Sequence, residues 1–300
     1  MHKTDDAQTI SVIGVGEMGG ALVRAFLCGG HRVTVWNRSP SKCAPYVQAG
    51  AALARTLEEA VGASDVVVTC VADYDVLCAT IWRSDVAPLL VRKTLIQFTS
   101  RTPAQAREGA AMAAQWGIRY LEGAIFAYPP AVGTPEGSFV ISGAQDVFES
   151  AKPVLESLGG YLVHAGEEIG SAPALELGVV GTFVPGAVVA FLQGAALATA
   201  EGASLDAFLS LVERHAYPKL ALALMKMGVP MMKSGDYRYR GEGAPVGVWL
   251  GGLELACTAT EFAGVNATFA NAVTDQLRQA VAQGHGQSEI PVIFKLMCKA

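Results

Sequence analysis

Three hundred residues with 22 basic and 27 acidic side chains, a formal net charge of −5, are too many for a small module and suit two domains. With 51% hydrophobic and only 16% charged residues, the chain lacks the basic face that nucleic-acid binding requires. The composition fits a well-buried α/β enzyme instead.

The N-terminal MHKTDDAQ is polar and has no signal-peptide core, and Cys28, Cys43, Cys70, Cys78, Cys257 and Cys298 show neither C-x-x-C nor metal-ligand spacing. Reduced, mostly packed thiols, a cytoplasmic location and no metal site are the expectations.

The first strand, Ile10 to Ile13, leads into Gly14, Gly16 and Gly19 in G-x-G-x-x-G spacing, with Glu17 and Met18 between them. A helix follows with Met18, Leu22, Ala25 and Phe26 at helical intervals, ending at Gly29-Gly30. In such a strand–turn–helix unit the first glycine permits a tight turn. The second lets a pyrophosphate approach the backbone, and the third lets helix and sheet pack closely. The helix N-terminus supplies free amides and partial positive charge for the phosphates.

The second strand, Arg32 to Trp36, runs into Asn37, Arg38 and Ser39, with Lys42 beyond. An NAD site usually carries a carboxylate there for the ribose hydroxyls. Its absence, together with the planar fork of Arg38, predicts NADPH. Helices over 40–49 and 56–62 and a short strand near 50–53 continue the alternation. Asp65 to Val71 reads as a central parallel strand whose end, Val71-Ala72, is expected beside the cofactor ribose. Asp73 and Asp75 read as helix caps. A strand over Thr94 to Phe98 leads through the hydroxyl-rich turn Thr99-Ser100-Arg101-Thr102, in which Thr99 and Ser100 are expected to bind the cofactor, into a helix over Ala104 to Trp116. Strands over Ile118–Leu121, Ser138–Ser142 and Tyr161–His164 complete a doubly wound, mainly parallel sheet.

The pattern changes after Gly170. No residue from Leu177 to Ala200 is charged, a length that would cross a membrane. Pro185 and several glycines interrupt it, no basic flank borders it, and a complete α/β domain precedes it, so a buried helix is expected. Helices over 204–216, 218–228, 246–263 and 267–283 follow. So much apolar helical surface predicts a homodimer with interlocked helices. The domain expectation is residues 1–169 for the Rossmann unit and 170–300 for the helical unit.

The segments GVGEMGGAL, WNRSPSK, FTSRTPAQARE, YLEGAIFAYPPAVGTPEG and GSAPALELGVV occur in an order and spacing that resembles the imine reductases and reductive aminases, a branch of the β-hydroxyacid dehydrogenase superfamily. The resemblance covers nearly the whole chain. It implies an N-terminal Rossmann domain with NADPH, a long interdomain helix, and a domain-swapped homodimer with the active site in the cleft between subunits. It also implies a small-molecule imine, or a ketone plus an amine, as substrate.

Hydroxyacid dehydrogenases of the superfamily carry a lysine in a G-x-x-x-x-x-K pattern, with an asparagine four residues later. Aligned at Gly170, Glu176 stands at the lysine position and Val180 at the asparagine. Imine reductases usually have aspartate or tyrosine there, so Glu176 keeps an acidic group one methylene longer. In a dry cleft it would donate a proton to a neutral imine, or hold a preformed iminium as a carboxylate. Desolvation by Val179, Val180 and Phe183 is expected to raise its pKa. The bland alternative is a solvated residue near the helix start.

Other pocket candidates are Gln97, Phe126, Tyr128, Tyr217 and Trp249. Gln97 either binds the nicotinamide carboxamide or substrate, or ends its strand. Phe126 and Tyr128 either wall the cleft or pack beneath the Pro129-Pro130 turn, and for Trp249 core packing is the better expectation. Two further functions stand beside imine reduction. One is a related reductase acting on a ketone, an activated C=C bond or a hydroxyacid, for which Arg101 is the nearby cation. The other is an NADPH-binding protein without turnover.

Overall fold

The computed structural model describes residues 7–241 and 243–298. The chain divides into two compact units, Met1–Phe183 and Val184–Ala300.

In chain order the first unit contains β1 (Thr9–Ile13), α1 (Glu17–Cys28), β2 (Arg32–Trp36), α2 (Ala44–Gln48), β3 (Ala52–Leu53), α3 (Leu57–Gly62), β4 (Val66–Thr69) and α4 (Tyr74–Ile81). It continues with β5 (Thr94–Gln97), α5 (Pro103–Gln115), β6 (Arg119–Ile125), β7 (Thr134–Ser142), α6 (Gln145–Leu155), β8 (Gly159–His164) and α7 (Ser171–Gly178). The eight strands form one sheet in the order β3-β2-β1-β4-β5-β6-β7-β8. All neighbouring pairs are parallel except β6 with β7. The chain order reverses between β1 and β4, which is where a doubly wound sheet opens a crevice at its carboxyl edge.

Sequence chemistry sets these elements. β4 is VVVT, β-branched throughout and buried on both faces. Polar side chains start the helices: Thr56 accepts from the Glu59 amide before α3, and Asp73 from Val76 before α4. Thr102 and Gln105 form a capping box at α5, with Pro103 in the first turn.

β6 extends four residues beyond the Leu121 boundary expected from sequence. Glu122 and Gly123 read as a strand end because a charge and a glycine interrupt the apolar run. In the fold Glu122 is fully buried but ion-paired with Arg101. A Cβ on Gly123 would lie 2.1 Å from the Phe98 ring, so glycine is required for that ring to pack over the strand.

The second unit is helical: α8 (Val184–Ala200), α9 (Leu205–Leu211), α10 (Leu222–Ser234), α11 (Val246–Phe262), α12 (Thr268–Ala280) and α13 (Ile293–Met297). Its core gathers Tyr237, Val246, Leu277, Ala280 and Val292, with Trp249 and Leu253 packed against them. The expected break between residues 216 and 218 is absent. Wide π-type turns over Val212–Ala221 carry the helix past Pro218, which has no N–H for an ordinary helical bond. A second π segment, Val179–Phe183, follows α7.

The helical run Ser171–Ala200 is long and apolar enough to cross a membrane. Burial of this run, expected from its composition, is not met within one chain: Leu177, Val180, Phe183, Val188 and Leu192 are all exposed. All six cysteines are free thiols; Cys43 and Cys257 are buried, Cys70 and Cys78 half-buried, and Cys28 and Cys298 exposed.

Candidate functional site

A cleft of about 700 Å³ opens at the carboxyl ends of β1, β2 and β4. The turn after β1 forms its floor. Gly14 has φ +94°, and a Cβ there would lie 2.3 Å from the Cys70 carbonyl oxygen. A Cβ on Gly19 would lie 2.1 Å from the Gly14 oxygen, so α1 meets the turn without room for a side chain. No described atom lies within 4 Å of a Cβ on Gly16, the N-cap of α1. The backbone is thus bare where the helix amides point outward, the geometry that admits a pyrophosphate.

Glu17, Met18, Asn37, Arg38, Ser39, Lys42, Val71 and Ala72 line this cleft with the three glycines. Asn37 Oδ1 accepts from the Val15 amide at 3.2 Å, and its Nδ2 donates to the Ser39 carbonyl at 3.1 Å. This side chain therefore fixes the β2 end against the glycine turn. The two cations Arg38 and Lys42 in the lining and the volume of the cleft fit an adenine dinucleotide carrying an extra phosphate.

Sequence reasoning missed Trp36, Leu57, Cys70, Val76, Ala79, Thr80 and Arg83, which also line the cleft. A signal existed for the last four. Asp73 caps α4 directly after the Val71-Ala72 turn, and the 76, 79, 80, 83 spacing places those side chains on one helical face. Arg83 is held there by Glu58 at 3.0 Å and by Asp85.

Two expected cofactor residues do not line the cleft. Thr99 is buried, and its hydroxyl accepts from the Val71 amide at 3.0 Å, fixing the end of β4. Ser100 Oγ instead donates to Glu176 at 3.4 Å. Gln97 also lies outside this lining. It is fully buried, its Nε2 donates to the Thr99 carbonyl at 2.9 Å, and its Oε1 accepts from the Thr99 amide, so it shapes the turn after β5.

Glu176 lies on α7, which packs against α5, β6 and β7. Its side chain is 18% exposed and accepts from Arg101 Nη1 at 3.3 Å. The solvated helix-start alternative does not describe this environment. Burial raises its pKa above the usual carboxylate value, against the opposing effects of Arg101 and the Ser100 hydrogen bond. The burial is not provided within the chain by Val179, Val180 and Phe183, which are exposed; it comes from the side facing the sheet. Cys70 lines the cleft and feels the Glu176 charge: burial, then that carboxylate, pushes its thiol up to about 12. The acid group is therefore within electrostatic reach of the cleft wall.

Arg101 is fully buried. Its Nη1 also donates to the Thr99 carbonyl at 3.1 Å, and its Nη2 donates to Gly123 at 2.9 Å and pairs with Glu122. Phe126 packs on Ala124, Val140 and Ala172. Tyr128 is 85% exposed and Val180 is exposed. Tyr217 and Trp249 belong to the second unit, Tyr217 exposed on the π segment and Trp249 against the helical core. His164 is structural, bonding the Gly143 carbonyl at 2.8 Å and stacking on Phe148.

A doubly wound sheet with a glycine turn, a basic ribose end and a half-buried carboxyl near the cleft defines a dinucleotide-dependent oxidoreductase. The NAD binding domain of 6-phosphogluconate dehydrogenase matches residues 9–166, and the C-terminal domain of NADPH-dependent reductive aminase-like proteins matches residues 168–299. An NADPH-dependent reductive aminase of Aspergillus oryzae is 30% identical over 287 residues, covering 95% of this chain and 96% of its own. An imine reductase variant from Myxococcus stipitatus in complex with NAD+ superposes with a TM-score of 0.92 at 32% identity, over 97% of this chain and 100% of that one. A reductive aminase from Aspergillus terreus in complex with NADPH and ethyl levulinate gives 0.85 at 30% identity, over 97% and 100%. The chain belongs to the family of NADPH-dependent imine reductases and reductive aminases, oxidoreductases that act on C=N bonds.

Proposed function

We propose that this protein reduces the C=N bond of a cyclic imine or iminium, or of an imine formed from a ketone and an amine, with NADPH as cofactor. The observation that carries the reading is Glu176: a carboxyl group, mostly buried, anchored by Arg101 and Ser100 and within electrostatic reach of Cys70 in the cleft wall. NADPH, when bound, supplies a hydride to the imine carbon. The residues expected to hold it are Gly14, Gly16, Gly19, Asn37, Arg38, Ser39, Lys42, Val71 and Ala72.

A neutral imine accepts hydride slowly, and protonation of its nitrogen removes that barrier. Glu176, with its raised pKa, retains a proton toward the working range and donates it to nitrogen, giving a CH–NH product. With an iminium formed before binding, the ionised Glu176 balances the positive charge instead. Both modes require the carboxyl to be kept out of bulk water, as burial and Arg101 do here.

A hydroxyacid reaction is disfavoured by the same geometry. An anionic substrate needs a free cation, and both terminal nitrogens of Arg101 are already engaged inside the fold.

The expected assembly is a domain-swapped homodimer. Its support is the exposed apolar run of α7, the following π segment and α8, together with Leu255 and Phe262 on α11, the latter 90% exposed. Covering by a second copy is favoured over a membrane because Glu176, on the same run, is tied to buried Arg101 of the sheet unit. Pocket roles for Phe126, Tyr128, Val180, Tyr217 and Trp249 belong to that assembled site. The division at residues 169 and 170 places α7 with the helical domain, and the free cysteines fit a cytoplasmic location.

NADPH oxidation against a cyclic imine, a ketone plus an amine, and a 3-hydroxyacid tests the proposal. Turnover of either of the first two supports it. Turnover of the hydroxyacid alone, or of none with NADPH bound, sinks it.

A further inference from the structure

Arg101 is a single buried cation touching two buried or half-buried carboxylates. One terminal nitrogen, Nη2, pairs with Glu122 on β6, and the other, Nη1, reaches Glu176 on α7 at 3.3 Å. Backbone carbonyls of Thr99 and Gly123 pin the guanidinium at 3.1 and 2.9 Å, so it cannot swing to follow one partner. Its Nε has no partner among the described residues. On the far side of Glu122, the Tyr120 hydroxyl donates to Oε1 at 2.5 Å.

We propose that Arg101 is a positioning residue shared by two carboxylates, and that Glu122, fixed by Tyr120, sets through Arg101 how tightly Glu176 holds its proton. This inference rests on the reading of Glu176 as the group that donates to the imine nitrogen. The physical basis is competition. A guanidinium neutralised by Glu122 offers less positive charge to Glu176, and the Glu122 charge itself repels a second carboxylate across the same cation. Both effects keep Glu176 protonated to higher pH than a lone Arg–Glu pair would.

The surrounding groups leave this pairing intact. Cys70, after β4, is within electrostatic reach of Glu176 and stays a neutral thiol, because burial and that carboxylate push it up to about 12. On α4, the Tyr74 hydroxyl donates to the Gln105 carbonyl at 2.7 Å. On α5, Arg107 is engaged by Glu168 at 2.8 Å, and Glu108 acts on Tyr74 and Cys78. Ser100 adds a neutral donor to Glu176. On β6, burial pushes Tyr120 well above its ordinary value, so it remains a donor, and pushes Glu122 up to about 7, against the pull of Arg101. Glu122 thus changes charge within the range where the enzyme would work.

The test is the pH profile of kcat/KM for a cyclic imine with NADPH, in the parent, Glu122→Gln, Tyr120→Phe and Glu176→Gln. Gln at 122 removes the competing charge while keeping the side-chain shape. The limb governed by residue 176 moves to lower pH by about one unit. Tyr120→Phe removes one of the donors that favour the ionised form of Glu122, so less Glu122 charge opposes Glu176 across the fixed guanidinium and the limb moves the same way by less. NADPH affinity stays within about twofold in both, since neither residue lines the cofactor cleft. A limb that stays in place or moves upward in both variants, while Glu176→Gln abolishes turnover, overturns the proposal and leaves the role of Glu176 standing. Full turnover by Glu176→Gln removes both. If Glu122→Gln does not fold, Tyr120→Phe, which retains the ion pair, decides alone.

Discussion

Asn37 accepts a hydrogen bond from the amide of Val15 at 3.2 Å, joining the end of β2 to the turn that follows β1. That bond places the residue after it, Arg38, in the cleft wall together with Lys42. Arg38→Ala therefore removes a cation from the 2′-phosphate end without disturbing the clamp. The expected result is a fall of about 10- to 100-fold in kcat/KM for NADPH, with NADH affected much less. Asn37→Asp keeps the acceptor for Val15, loses the donor to Ser39 and adds a repelling carboxylate, so it shifts preference in the same direction. Steady-state kinetics with both cofactors measure the ratio.

Two glycines of the turn separate fold from binding. Gly14→Ala places a methyl 2.3 Å from the Cys70 oxygen at φ +94°, and it should lose more than about 2 kcal/mol of stability. Gly16→Ala meets no described atom and has an ordinary φ of −63°, so its Tm should match the parent while NADPH affinity falls. Thermal melts and cofactor titration of the pair distinguish the two.

Glu122 gives stability an unusual pH dependence. Its folded pKa is raised from 4.5 to about 7, so between those values the folded protein binds more protons than the unfolded chain. Stability contributed by this group is then present below pH 4.5 and lost as pH rises toward about 7. Glu122→Gln should flatten the Tm profile across that window. An unchanged slope would show that Glu122 is ionised throughout.

The exposed stripe of α8 predicts assembly. Val188→Asp and Leu192→Asp each put a charge on an apolar surface, and together they should convert a dimer to monomer in sedimentation experiments. A parent protein that already sediments as a monomer would contradict the proposed homodimer.

The nucleotide unit was legible because its signals are local. A buried strand, three glycines and an amphipathic helix in sequence have few alternative folds, and the Asn37-Arg38-Ser39 turn sits where β2 ends. The side chains that organise Glu176 were less legible. Arg101 and Glu122 are far apart in sequence, and a lone charge in an apolar strand reads as a boundary until its partner is known. Gln97 and Thr99 looked like binding groups because they end a strand at the ligand edge, yet their hydrogen bonds turn inward to hold that edge. A break between residues 216 and 218 is expected because the wide turns that carry the helix past Pro218 leave no mark in the sequence. The cleft-facing side of α4 was missed, although its spacing and cap carry the signal.

The central claim is that the Glu176 carboxyl supplies the charge or proton that makes a C=N bond reactive. It is tested most directly by comparing kcat for a cyclic imine with saturating NADPH in the parent and Glu176→Gln, with cofactor affinity measured in both. A loss of about 100-fold or more in kcat is expected, with NADPH affinity unchanged. Turnover by Glu176→Gln within about threefold of the parent would contradict it.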